Sequence, residues 1–100
     1  MIDWSLIDGF DWDAGNERKS ETKHAVSGAE AEQVFFNEPL VITEDRAHSG
    51  GEPRSHALGH SDSGRLLHVT FTLRSKRSLI RLISARDMHR KERIAYGQVS

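Results

Sequence analysis

The chain has 100 residues, 36% hydrophobic and 29% charged, a size and balance that suit one ordinary globular domain with a modest core. The absence of cysteine excludes disulfides and thiolate metal sites, and no apolar run approaches the roughly 20 residues of a membrane-spanning helix. Residues 1–52 hold 4 Lys/Arg against 12 Asp/Glu and residues 53–100 hold 10 against 3, which points either to an anionic partner for the basic half or to halves that neutralise each other on folding.

The opening MIDWSLIDGFDWD is acidic and lacks a basic region leading into an apolar one, so a secretory leader is not expected and a cytoplasmic home is. Asp13 has the chemistry to cap a first helix over 14–24, with Phe10 and Trp12 before it as core anchors. In VSGAEAEQVFFNEP, Ser27 and Glu30 have capping-box spacing, and Val26 with Ala31 has that of a hydrophobic staple. Ala31, Val34 and Phe35 then form an apolar helix face that ends before Pro39.

Residues 40–43 predict a short strand, and EDRAHSGGEP a polar loop. Three further strands are expected at 54–60, 65–73 and 78–84. Their short connections, Ser61-Asp62-Ser63-Gly64 and Arg74-Ser75-Lys76-Arg77, favour antiparallel hairpins. In the middle run Leu67, Val69, Phe71 and Leu73 alternate with Leu66, His68, Thr70 and Thr72, which gives one buried and one mixed face. The last of the three is less regular and sends Arg81 to a site or an edge. A closing helix over 86–97 sets Arg86, His89, Arg90 and Arg93 on one face. The order α-α-β-β-β-β-α predicts an α+β domain with helices packed on one side of a four-stranded, mainly antiparallel sheet.

The six histidines show no metal-ligand spacing, so hydrogen-bonded or surface roles are expected for them and no metal or other cofactor is implied. No glycine-rich phosphate loop or G-x-S-x-G elbow is present. RNA cleavage fits the residue types better. RNA carries its own nucleophile, the 2′-hydroxyl, so an enzyme needs a proton acceptor, cations on the phosphate and a proton donor for the leaving oxygen. Arginine suits the second task because its planar fork pairs with two phosphate oxygens. Arg54, Arg65, Arg74, Arg81 and Arg86 stand near the ends of successive strands.

These residues also carry a resemblance. The series F10-D-W12-D13, K23-H24-x-V26-S27, V34-F35, P39, H48-S49, E52-x-R54, G64-R65, F71-T72 and I80-R81-x-I83-S84-A85-R86, with E92 and Y96, is similar to the BrnT family of bacterial type II toxins. The resemblance spans residues 10–97, which makes these one toxin domain between an N-terminal extension (1–9) and a tail (98–100). It implies a RelE-like fold, metal-independent RNA cleavage that arrests growth, and neutralisation by a BrnA-like ribbon-helix-helix antitoxin. The toxin and antitoxin then form a hetero-oligomer that meets operator DNA only through the antitoxin.

The resemblance implies catalytic roles for Lys23, His24, Glu52, Arg54, Arg65 and Arg86. Lys23 can hold phosphate and His24 can shuttle a proton; alternatively the pair only favours a helix C-terminus. Arg54 is the expected phosphate clamp with Glu52 orienting it, or the two are a structural ion pair. Arg81, His89, Arg90 and Arg93 are expected to bind RNA, while Tyr96 is assigned to packing. Asn16, Ser20 and Ala25 depart from the lysine, asparagine and glycine usual in the family. Ala25 would carry a strain of about 1 kcal/mol in a left-handed helix cap. A weakened homologue that binds antitoxin in transcriptional regulation is the alternative function.

Overall fold

The computed structural model describes residues 4–45, 53–74 and 78–99. After a 3-10 turn at Trp4–Leu6, the order is β1 Gly9–Trp12, α1 Ala14–His24, α2 Gly28–Gln33 running into a 3-10 turn at Val34–Phe36, β2 Val41–Asp45, β3 Arg54–His60, β4 Leu66–Arg74, β5 Leu79–Asp87 and α3 Arg90–Gly97. The α+β class holds, but among the described residues the sheet has five strands in the order β1-β5-β4-β3-β2. The four-stranded expectation is corrected by β1, which pairs parallel to β5 through Gly9↔Leu79 and Trp12↔Leu82. With its glycine and aspartate, GFDW reads locally as a loop; its strand character comes from a partner some 70 residues away.

Local signals set the helices. The Asp13 carboxylate accepts from the N–H groups of Gly15 and Asn16, which starts α1 where the sequence places it. The Ser27 hydroxyl accepts from Glu30 N–H, and the Glu30 carboxylate turns outward to Arg65. The α1 terminus is closed by Ala25 in the left-handed region (φ 55°), whose N–H reaches the carbonyls of Glu21 and Ser20. That conformation strains a residue bearing a Cβ.

The α1–α2 layer covers one sheet face. Val26, Ala31 and Val34 meet Ala57, Leu67, Val69, Phe71, Ile80, Leu82 and Ala85 there to form the core. Gly59 permits close approach, since a Cβ on it would lie 3.0 Å from Val34 Cβ. Between Thr70 and Phe71 the β4–β5 register shifts: Thr70 pairs with Ser84 but Phe71 with Leu82, so Ile83 is the extra residue of a bulge. The bulge explains the irregular β5 pattern, because Ile80 and Leu82 before it and Ala85 after it all face the core. The buried Ser20 hydroxyl accepts the Ala85 N–H and ties the bulged strand to α1.

Two further expectations change. Arg86 belongs to β5, paired with His68, and α3 begins only at Arg90; the proposed helical face shared by Arg86, His89, Arg90 and Arg93 does not form. Nor do all helices lie on one side. Tyr96 of α3 is buried, its O–H donates to the Pro39 carbonyl, and its oxygen lies 2.9 Å from His60 Nδ1. His60 alternates with the core-facing Ala57 and Gly59, so α3 lies against the second sheet face.

Replacing Ala25 by glycine should relieve the left-handed strain and raise unfolding free energy by about 1 kcal/mol, measurable by urea denaturation. An unchanged or lower value would show that the cap is not strained.

Candidate active site

The β3–β4 turn presents Arg65. Ser61 N–H donates to the Arg65 carbonyl and Gly64, at φ 87°, donates to Ser61. The buried Ser61 hydroxyl accepts Arg65 N–H. From this turn the guanidinium uses all five of its N–H donors. Nε and Nη2 hold the two Asp87 oxygens at 2.7 and 3.0 Å. Nη1 reaches the Ala25 carbonyl at 2.7 Å and Glu30 at 3.2 Å, and Nη2 reaches the His24 carbonyl at 3.1 Å. Arg65 thereby joins the end of α1, the start of α2 and the end of β5. Its hydrogen bonds hold the Asp87 carboxyl below the ordinary carboxylate range.

A different set of groups meets on the second sheet face, opposite α1 and α2. In register, Arg86 faces His68, Ser84 faces Thr70, and Thr70 faces His56. His56 is held at both nitrogens, Nε2 lying 3.0 Å from Asp45 Oδ2 and Nδ1 3.0 Å from Thr70 Oγ1. Its ring centroid is 4.8 Å from that of His68. Next to this pair the Arg86 guanidinium grips the Glu92 carboxylate through two bonds of 2.8 and 3.0 Å. The same carboxylate accepts His89 N–H at 2.9 Å, and His68 Nε2 stands 3.7 Å away.

Burial, with the positive charge of Arg86 adding to it, lowers the His68 pKa to about 4, so this imidazole is neutral at physiological pH. Burial alone would raise Glu92, but the hydrogen bonds from Arg86 and from His89 N–H outweigh it and bring the carboxyl to about 2. Arginine, a neutral imidazole and the N-terminal end of a helix thus converge on one carboxylate. Such a donor set binds oxyanions, phosphate among them.

The ten site residues expected from the sequence fall into separate groups. Lys23 is exposed and His24 half-buried at the end of α1, on the core side of the sheet. Arg65 works as the clamp between elements. Arg54 is exposed and opposite Asp45 in the β2–β3 register, while Glu52 lies outside the described residues. Arg81 lies 3.6 Å from Asp13, and Arg86 is at the centre of the second face. His89, Arg90 and Arg93 are exposed around the start of α3, with Arg93 donating to the Met88 carbonyl.

Sequence reasoning assigned no site role to His56, His68, Asp45 or Glu92, although Glu92 stands in the series that carries the resemblance. The histidines look scattered along the chain, yet counting back from the 61–64 turn pairs residue 56 with 70 and 58 with 68, which sets both rings on one face. Among the described residues, no group of three His, Cys, Asp or Glu side chains is disposed to hold a metal, and no helix is long and apolar enough to cross a membrane.

The architecture is an α+β domain built on a five-stranded mixed sheet. It is similar to the 1.1 Å crystal structure of the Brucella abortus ribonuclease toxin BrnT, with a TM-score of 0.63, 18% sequence identity, and coverage of 82% of this chain and 97% of that one. No curated protein matches the chain. The family model described as ribonuclease toxin BrnT of type II toxin–antitoxin systems matches residues 12–92. The chain therefore belongs to the BrnT ribonuclease toxin family, whose type II systems pair each toxin with an antitoxin.

The lowered His68 pKa makes the fold acid-sensitive. Unfolded chains take up a proton near pH 6.5, whereas the folded histidine resists it down to about 4. This contribution to stability is fully present above the unfolded value and is lost as pH falls through that window. Between pH 7 and pH 5 the group should remove about 2 kcal/mol of unfolding free energy. In a His68→Leu variant most of this difference should vanish from denaturation curves at the two pH values; persistence of the full difference would place the sensitivity elsewhere.

Proposed function

We propose that this chain cleaves RNA on the second sheet face, arrests growth when unopposed, and is neutralised by a BrnA-like ribbon-helix-helix antitoxin. The observation that carries this reading is the convergence of Arg86, His68 and His89 N–H on the Glu92 carboxylate. Glu92 occupies the place of an anion. In the complex with RNA, a phosphate oxygen exchanges for this carboxylate on Arg86, whose fork then stabilises the charge that develops as the 2′-hydroxyl attacks.

His56 is the proton acceptor in this scheme. Asp45 fixes one side of its ring, and the Thr70 hydroxyl meets the other nitrogen. A substrate 2′-hydroxyl that displaces Thr70 finds a lone pair on an imidazole, the side chain whose proton exchange suits neutral pH. His68, kept neutral between His56 and Arg86, fills the space without adding a competing charge. Arg81 and the exposed Arg90 and Arg93 follow the RNA backbone on either side. The reaction needs no metal: as the 2′-oxygen bonds to phosphorus the P–O5′ bond breaks, the leaving 5′ oxygen takes a proton from water, and the products are a 2′,3′-cyclic phosphate and a free 5′-hydroxyl.

The test is RNA incubated with antitoxin-free protein. Cleavage should persist in chelator and fail on a substrate with 2′-deoxyribose at the scissile position. It should fall at least about 100-fold in Arg86→Gln and by a comparable factor in His56→Gln, the usual size of losing an oxyanion contact or a general base. Full activity in both folded variants would move the site elsewhere. RNA left intact by protein that still binds its antitoxin would establish the binding-module alternative.

A further inference from the structure

A groove of about 730 Å³ shares no lining residue with the His56–His68–Arg86 cluster; it is lined by Trp4, Phe35, Phe36, Pro39, Leu40, Ile42 and Val99, with Asn37 and Glu38. Its walls are anchored in the core: Phe35 packs edge-on against the buried Phe71 at 5.2 Å between centroids. Phe35 also stands 6.0 Å from Trp4, and Phe10 stands 5.9 Å from Phe36. Yet Phe36 is 76% exposed, Val99 59% and Trp4 43%, so fixed aromatic rings present apolar area to solvent. Rigid aromatic anchors of this kind dominate binding energy at protein interfaces.

Among the described residues no lysine or arginine lines the groove, and the charged side chain there is the exposed Glu38. This character repels a phosphate backbone and suits an apolar peptide flanked by basic residues. The groove also adjoins β2, to which Ile42 belongs and which ends the strand order among the described residues. An extended segment can therefore add its backbone to that edge while its apolar side chains enter the groove.

We propose that this groove and the β2 edge are the docking site for the antitoxin, which contributes an extended segment with apolar side chains flanked by Lys or Arg. The inference rests on the antitoxin partnership of the proposed function, but it assigns the partner to a surface separate from the RNA face. The antitoxin acts from the β2 edge, and the α3 arginines are left to RNA.

The test uses antitoxin co-purified from the toxin's own operon, separated in denaturant, refolded and titrated against the full chain. Phe36→Asp and Val99→Asp change largely exposed side chains, so unfolding midpoints report directly that the fold is kept. Affinity should fall at least about 100-fold in Phe36→Asp and about tenfold in Glu38→Lys, with RNA cleavage by the free chain unaltered. Undiminished affinity in folded Phe36→Asp overturns the proposal. So does loss of antitoxin binding in Arg90→Glu/Arg93→Glu while Phe36→Asp binds normally, or a groove-dependent toxin dimer whose antitoxin affinity is insensitive to Phe36. If the free chain leaves RNA intact but Phe36→Asp still abolishes antitoxin binding, the docking site stands and only the ribonuclease reading fails.

Discussion

Five hydrogen bonds from one guanidinium hold the toxin's elements in register. Arg65 sits just before β4, so its position is fixed by the sheet; its donors then gather two carbonyls at the end of α1, the Glu30 carboxylate of α2 and the Asp87 carboxylate at the end of β5. The α1 carbonyls are among those that a helix terminus leaves without intrahelical partners. Val26, Val34, Leu67 and Val69 lie in the one buried cluster that these elements enclose, and β5 runs to Asp87 before α3 begins at Arg90. Arginine is suited to this task because no other side chain offers five donors in one plane.

A division between the two sheet faces follows. One is sealed by α1 and α2 and supplies stability. On the other, the β5 bulge lets Ile80, Leu82 and Ala85 stay in the core while Ser84 and Arg86 meet Thr70 and His68. Charge follows the same division. Arg65 and Arg81 of the basic half meet Glu30 and Asp13 of the acidic half, so part of the asymmetry is spent on internal pairing. Arg86 is itself paired with Glu92, and the unspent positive charge beside it is that of the exposed Arg90, Lys91 and Arg93 of α3.

Local chemistry made much of the fold legible. The Asp13 and Ser27 caps, the 61–64 turn and the alternation of β4 each depend on residues a few positions apart, and each appears where the sequence implies. Strand β1 escaped because four residues with glycine and aspartate have no strand signal until β5 lies beside them. The start of α3 escaped because the spacing of Arg86, His89, Arg90 and Arg93 mimics a helix face while the pairing with His68 keeps Arg86 extended. Of the candidate site, Arg86 was legible as a strand-ending arginine. His56, His68 and Glu92 were not, since they join only through sheet register and the return of α3. Arg65 was noticed for its charge, but its role is set by what surrounds it, which no spacing encodes.

The most direct measurement of the Arg65 clamp, and of the proposed RNA chemistry lying at Arg86 and not at Arg65, is cleavage per folded molecule by an Arg65→Lys variant, read beside its unfolding free energy. Lysine keeps the charge but cannot span the five acceptors, so the account predicts a loss of about 2 kcal/mol of stability with cleavage per folded molecule unchanged. A variant as stable as the unsubstituted protein but unable to cleave RNA would contradict it.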